Sequence, residues 1–189
     1  MKKSDLRIKY KQFRASLSKD KLEYLSLDIA NQCLNLHIWK ASFYHIYLPI
    51  TNQNEVNTEY LLNILAGKDK NIIVSKSDFK TLRLQHFLLT DATVFKTNKF
   101  GIPEPLNGIE INPAQIEVVF VPLLAYDLKG HRVGYGKGFY DRFLSQCQPQ
   151  TIKVGLSFFE PELEIIPFDE TDIKLDYCVT PQNILVFNQ

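Results

Sequence analysis

The sequence predicts an α/β domain built on a largely parallel sheet, with helices over both faces. Three observations carry this. Apolar runs of strand length, among them residues 71–75 (NIIVS) and 116–125 (IEVVFVPLLA), alternate with amphipathic helical stretches. The second run is almost continuously hydrophobic, as strands buried on both faces are. The connections are short, and no repeat, low-complexity tract or linker divides the 189 residues, which suits one domain spanning 1–189.

The elements follow in order. Leu6, Tyr10, Phe13 and Leu17 recur at helical spacing and predict a helix over 3–17 with one apolar stripe. Lys3, Arg7, Lys11 and Arg14 keep the same spacing and form a basic stripe beside it. Ser18 is a candidate N-cap for a second helix reaching about Leu36, with Leu22, Leu25, Ile29 and Cys33 inward. Residues 42–49 (SFYHIYLP) have the aromatic and β-branched content of a strand, stopped by Pro49. A short helix from Thr58 to Ala66 is closed by Gly67, and strands are expected at 71–75 and 84–89. Three prolines and two glycines make 98–113 mostly loop. The strand at 116–125 is the strongest central one. A glycine-rich stretch leads from it into a helix over 139–146, and late strands are expected at 152–158 and 184–187.

Composition narrows the function classes. A net charge of +1 gives no global field to attract nucleic acid. No apolar run approaches the length of a membrane span, and charges interrupt the stretch after Met1-Lys2-Lys3 where a signal peptide would need an apolar core. Cys33, Cys147 and Cys178 lie far apart with no CxxC spacing, so neither a disulfide framework nor a zinc site is indicated, and a cytoplasmic protein is expected. His37, His45, His86 and His131 show no metal-ligand spacing either. The first three are read as structural or surface residues and His131 as a turn residue.

The segment VPLLAYDLKGHRVGYGKGFYDRFL, residues 121–144, carries the chemistry. A buried strand ends, a turn follows, and Gly134, Gly136 and Gly138 alternate around Lys137 before a helix begins. Glycines permit positive φ and close backbone approach to a ligand. Backbone amides at a helix start hold phosphate, and a lysine adds a point charge. The pattern is neither a Walker A loop, because Gly138 stands where that motif needs Ser or Thr, nor the GxGxxG dinucleotide fingerprint. Asp141 falls in the first turn of the helix. It suits either dipole compensation or a hard-cation ligand, with Asp172 and Asp176 as candidate second carboxylates.

The run GHRVGYGKGFYDRFL resembles the signature of the 5-formyltetrahydrofolate cyclo-ligase family. Further matches stand in the family's order along nearly the whole chain. They are Lys3 and Arg7 in K-x-x-x-R, Glu55-Val56-Asn57-Thr58 in an EVDT-like element, Gly101 to Pro105 in a GIxEP element, and Asp172, Asp176, Thr180 and Pro181 near the end. The resemblance implies a fold shared with sugar-phosphate isomerases and CoA transferases. It implies ATP-dependent closure of 5-formyltetrahydrofolate to 5,10-methenyltetrahydrofolate, with ATP and 5-formyltetrahydrofolate as the small-molecule partners and Mg2+ as cofactor. Lys3, Arg7 and the stretch Arg132, Gly134, Tyr135, Gly136, Lys137, Gly138, Phe139, Tyr140 would contact ATP. Leu48, Glu55 and Tyr135 through Phe139 would contact the folate, and Asp141 and Asp172 would hold magnesium. Lys137, Glu55 and Arg132 would carry the catalysis. Two departures stand out. Asn57 replaces a frequent aspartate, and Ser75-Lys76 follows a strand where many members have proline.

Two other readings fit parts of the pattern. A kinase or sugar-phosphate isomerase can use a similar sheet, since fold does not fix function. A non-catalytic folate or nucleotide binder would show a degraded motif, whereas Lys137, Asp141 and Arg142 are intact.

Overall fold

A computed structural model describes residues 1–187, apart from the side chain of Thr51. Its helices are α1 (Lys3–Ala15), α2 (Lys19–Cys33), α3 (Glu59–Gly67) and α4 (Phe139–Leu144). The first strands are β1 (Phe43–His45), β2 (Asn71–Asp78), β3 (Arg83–Leu88), β4 (Phe95–Thr97), β5 (Pro103–Pro105) and β6 (Val118–Pro122). The others are β7 (Ala125–Tyr126), β8 (Arg132–Val133), β9 (Ile152–Leu156), β10 (Tyr177–Val179) and β11 (Ile184–Val186).

Seven strands form one sheet in the order β11-β10-β9-β6-β1-β2-β3. The five inner strands are mutually parallel, and the two edges, β3 and β11, run antiparallel to their neighbours. Because side chains alternate along a strand, the sheet divides its apolar residues between two cores. Tyr44, Ile72, Val118, Phe120 and Val154 face α2 and α3, meeting Ile29, Cys33, Leu61 and Leu65. Ile73, Val119, Val121 and Cys178 face the other way, onto Phe143 and Leu144 of α4 and onto Leu175 and Phe187. Val118 through Val121 are all fully buried, and each such side chain contributes about 1.5–3 kcal/mol. Among the described residues no helix is long and apolar enough to cross a membrane.

The differences from the sequence expectations have local causes. The 116–125 run is cut at Pro122, whose missing N–H ends ladder pairing, and it resumes as β7, paired with β8 in a small hairpin. The 98–113 stretch is mostly irregular as expected, but its first part folds back on Phe95–Thr97 as the β4–β5 hairpin. Strand β10 lies where the family pattern has a strand, between Asp176 and Thr180, although the hydrophobic pattern did not mark it. It is three residues long and becomes a strand by lying between β9 and β11. Ser18 caps α2 as expected, its side chain accepting from the amide of Lys21, but the helix ends at Cys33 rather than near Leu36. The largest correction is in α1. Its buried stripe is Leu6, Tyr10 and Arg14, while Phe13 is exposed. With strict spacing of four, the stripe packs on Leu124, Ala125 and Val133 of the β7–β8 region.

The chain leaves β1 through α3 to reach β2 on one side, whereas β6 pairs with β1 on the other. Order reverses at this boundary, and the crevice beyond the carboxyl ends of such strands is where open α/β sheets take ligands.

Candidate active site

A cavity of about 1120 Å³ opens at that boundary. Leu48 and Glu55 reach it from the chain that follows β1, and Lys3 and Arg7 from α1. Arg132 belongs to β8, and Gly134, Tyr135, Gly136, Lys137 and Gly138 form the loop after it. Phe139, Tyr140 and Asp141 open α4, and Asp172 comes from the segment before β10. Every site residue named from the sequence therefore lines one cavity. Asp176, the alternative carboxylate, does not. Its Oδ2 accepts from the Lys153 amide at 2.7 Å and lies 3.1 Å from Lys153 Nζ, near the start of β9 and away from the cavity end of the sheet.

The glycine loop owes its shape to two of its three glycines. Gly136 (φ 89°) and Gly138 (φ 67°) occupy the left-handed region. A Cβ on Gly136 would lie 3.0 Å from Arg7 Cζ, and one on Gly138 would lie 2.9 Å from Arg142 Nη1. Gly134 is different, because a Cβ there would meet nothing within 4 Å and would only narrow the cavity. Arg7 Nε donates to the Gly134 carbonyl at 2.9 Å, and Arg142 Nη1 donates to the Lys137 carbonyl at 2.8 Å. These contacts tie the loop to α1 and α4. The Lys137 side chain is exposed and enters no ion pair among the described residues.

The two carboxylates singled out for metal are neighbours through one peptide. Asp141 Oδ1 accepts from Arg132 Nη2 at 2.6 Å and from the amide of Ile173, the residue after Asp172, at 3.1 Å. Arg132 also donates to the Ile173 carbonyl. Asp172 is bonded by Lys3 Nζ and accepts from the Asp169 amide at 3.0 Å. Partial burial pushes the Asp172 carboxyl up. The Lys3 ammonium, the Asp169 amide and the Arg132 charge outweigh it and hold the carboxyl below its ordinary range.

Glu55 is only 4% exposed, a burial that its loop position did not signal. Its Oε1 accepts from the Tyr135 hydroxyl at 2.7 Å and its Oε2 from the Ile50 amide at 2.7 Å. Burial raises its pKa above the ordinary carboxyl value, against the opposing pull of the Arg14 charge and those two hydrogen bonds. Arg14 Nη1 donates to the same Tyr135 hydroxyl at 3.0 Å, and Nη2 donates to the Leu123 carbonyl at 2.5 Å. The sequence grouped Arg14 with the basic stripe beside the apolar one. It is instead a buried strut of the site, and its spacing of four from Tyr10 was the available signal. Lys11, named before only as part of the basic stripe, also lines the cavity, as do Tyr47, Phe79 and Phe100, which were not singled out. Phe79 packs on Phe100 at 4.3 Å and on Phe139 at 5.2 Å between centroids, which builds an aromatic wall. Asn57 stands outside, donating to Glu23 and accepting from the Glu59 amide at the start of α3. Ser75 does line the cavity, so that departure from the family pattern falls within its wall.

One mouth thus combines the cations Lys3, Arg7, Arg132 and Lys137, a glycine-shaped loop and the carboxylates Asp141 and Asp172 with the buried carboxylate of Glu55 and an aromatic surface. Polyphosphate and a planar ring system can both be held there. Known proteins agree with this layout. The model of the 5-formyltetrahydrofolate cyclo-ligase family matches residues 1–181. A 5-formyltetrahydrofolate cyclo-ligase from Haemophilus influenzae is 32% identical over 92% of this chain and 95% of its own. A probable 5-formyltetrahydrofolate cyclo-ligase from Schizosaccharomyces pombe is 29% identical over 98% of both chains. The solution structure of 5,10-methenyltetrahydrofolate synthetase from Aquifex aeolicus superposes with a TM-score of 0.83 at 31% identity, covering 100% of this chain and 94% of that one. The fold, the order of the motifs and a family match spanning nearly the whole sequence lead to one conclusion: this chain belongs to the 5-formyltetrahydrofolate cyclo-ligase family.

Proposed function

We propose that the chain is an ATP-dependent cyclo-ligase acting in the cytoplasm as one domain, converting 5-formyltetrahydrofolate to 5,10-methenyltetrahydrofolate with release of ADP and phosphate. The observation that carries this reading is the convergence of both motif sets, those expected at ATP and those expected at folate, on a single cavity. The formyl oxygen attacks the γ-phosphorus of ATP and ADP leaves. Nitrogen ten then attacks the activated carbon, loses its proton, and phosphate departs as the ring closes.

The protein's task in this reaction is positioning and charge stabilisation. Lys137 has an exposed side chain that enters no ion pair among the described residues, and it suits the transferred phosphoryl group. Arg132, Lys3 and Arg7 surround the rest of the polyphosphate, and Gly134, Gly136 and Gly138 let the backbone come close. Glu55 has two of its acceptor positions filled by Tyr135 and Ile50. The positions left can accept from N–H groups of the pterin, while Leu48, Phe139 and Tyr140 pack on its ring. Asp141 and Asp172 fit a magnesium ion that takes its other ligands from phosphate and water, since magnesium at nucleotides uses one or two carboxylates rather than a full protein cage. Such an ion would supply charge neutralisation on the phosphates.

The test is to mix the protein with 5-formyltetrahydrofolate and Mg-ATP and follow the near-ultraviolet absorbance of the methenyl product, with an ATP-free control. ATP-dependent growth of that band is expected. Folded protein that binds ATP and yields no product would overturn the reading.

A further inference from the structure

The wall of the cavity contains a chain of three side chains that the proposed reaction has not used. His45, at the end of β1, has its Nε2 2.8 Å from Ser75 Oγ, and that oxygen lies 2.8 Å from His86 Nδ1. Strand register places them together. His45 pairs with Ile73 in β2, and Ser75, two residues on and hence on the same face, pairs with His86 in β3. The rings are wedged by α4, His45 at 4.8 Å and His86 at 4.1 Å from the centroid of Phe143. His45 and Ser75 line the cavity, whereas His86 lines a second, smaller cleft beside β3.

His45 is fully buried, yet its Nδ1 has no partner among the described residues. Buried polar atoms are nearly always bonded, so such an orphan calls for an explanation. The ring is held through Nε2, and Nδ1 is the atom that holding leaves over. Both imidazoles are neutral in this setting. Burial, reinforced by its histidine neighbour, pushes His45 well below its usual range, and burial takes His86 to about 4. Between two neutral rings a serine hydroxyl has one proton to give. If it goes to His45, Nδ1 of that ring carries hydrogen and donates. If it goes to His86, Nδ1 of His45 is bare and accepts. The ring lines the cavity, and its Nδ1 is a buried, uncharged polar atom whose sense a single hydroxyl rotation and tautomer change can reverse.

We propose that His45 is a ligand-contacting residue whose Nδ1 bonds the polar edge of the substrate's fused heterocycle, with Ser75 and His86 as the positioning residues that orient its ring. The inference rests on reading the cavity as the 5-formyltetrahydrofolate site. A neutral imidazole beside Tyr140 and Phe143 matches an uncharged amide or amine edge, whereas the phosphates have Lys3, Arg7, Arg132 and Lys137.

The test combines kinetics with ring-nitrogen NMR. His45→Leu is expected to raise the KM for 5-formyltetrahydrofolate about tenfold, the scale of one lost buried hydrogen bond, and to leave that for ATP within about twofold. His45→Asn, whose amide sets a polar atom near the position of Nδ1, should recover most of the loss, and Ser75→Ala should fall between. In the wild-type protein, adding 5-formyltetrahydrofolate should shift the His45 Nδ1 resonance, and adding ATP alone should not. This last measurement decides the matter if His45→Leu fails to fold. Ordinary turnover with an unmoved resonance, or a folded His45→Leu with unchanged folate KM, would overturn this inference alone. A wild-type protein that makes no methenyl product would overturn the functional reading and this inference with it.

Discussion

Arg14→Met is the substitution whose consequences the structure predicts in most detail. Arg14 and Glu55 are each 4% exposed, and they share the Tyr135 hydroxyl at 3.0 and 2.7 Å. Methionine keeps the buried stem but removes the charge, orphans the Leu123 carbonyl, and leaves Glu55 buried with only the Tyr135 and Ile50 donors. Removing one partner of a buried pair costs about 3–5 kcal/mol. The pair here is bridged rather than direct, so the lower end, about 3 kcal/mol, is expected. In a chain of 189 residues that corresponds to about 6–12 °C in melting temperature. The cost depends on pH because Glu55 can escape it by taking up a proton. Its folded pKa is already raised, so its contribution to stability is present in acid and is lost as pH rises through the folded value. Losing Arg14 raises that value further. Compared between an acid pH and pH 8, the variant should therefore lose more stability than the wild type, with a slope of up to about 1.4 kcal/mol per pH unit. Urea unfolding at the two pH values measures this, and adding Glu55→Gln to Arg14→Met should restore part of the loss at pH 8. An equal penalty at both pH values, with no relief from Glu55→Gln, would refute the argument that the guanidinium serves to compensate Glu55.

Lys137→Ala should lower kcat by roughly 10²–10³, the usual effect of removing one donor to developing charge, while the melting temperature stays within about 2 °C because the side chain is exposed; steady-state kinetics and thermal unfolding check both. Gly136→Ala forces φ 89° on an L-residue and drives a methyl to 3.0 Å from Arg7 Cζ, so it should raise the KM for ATP severalfold and cost about 1–2 kcal/mol of stability, read from kinetics and urea titration. Chelation with EDTA should abolish turnover and leave the circular dichroism of the folded chain unchanged, and excess Mg2+ should restore activity. Asp141→Ala should be insensitive to that restoration.

Features with a local signature were legible in the sequence. The Ser18 cap, the continuous apolar run of β6 and the glycines at 136 and 138 depend on residues within a few positions of themselves, and the structure has each where expected. Features set by distant partners were not. Tyr177–Val179 is a strand because β9 and β11 flank it, and no periodicity in three residues says so; only the family pattern had a strand there. Glu55 looks like an ordinary loop carboxylate until α1 delivers Arg14 and the glycine loop delivers Tyr135. Arg14 itself was masked by its charge, since a helical wheel that assigns charged residues to solvent puts Phe13 inward in its place. The His45–Ser75–His86 chain joins three strands and has no spacing that a linear reading could recognise. The site residues were named through family motifs, and the charges that hold them, buried or bridging, came from the packing.

That packing has a consequence for how the site works. Lys3 is bonded to Asp172 and Arg132 to Asp141, so four of the charges named for ATP and metal are matched within the protein itself. Left unmatched at the mouth of a partly enclosed cavity, two carboxylates and two cations would repel a ligand of either sign and loosen the loop that carries them. Matched, they hold α1, β8 and the segment around Asp172 in one arrangement. On the proposed reading, Asp141 and Asp172 would be the residues to hold a nucleotide's divalent cation, and Lys3 and Arg132, released from them, would bind its phosphates. Charge stays compensated before and after, so binding need not meet the full desolvation cost of four isolated ions. The arrangement also explains why α1, whose buried residues pack on the β7–β8 hairpin rather than in either main core of the sheet, belongs to the site more than to the scaffold.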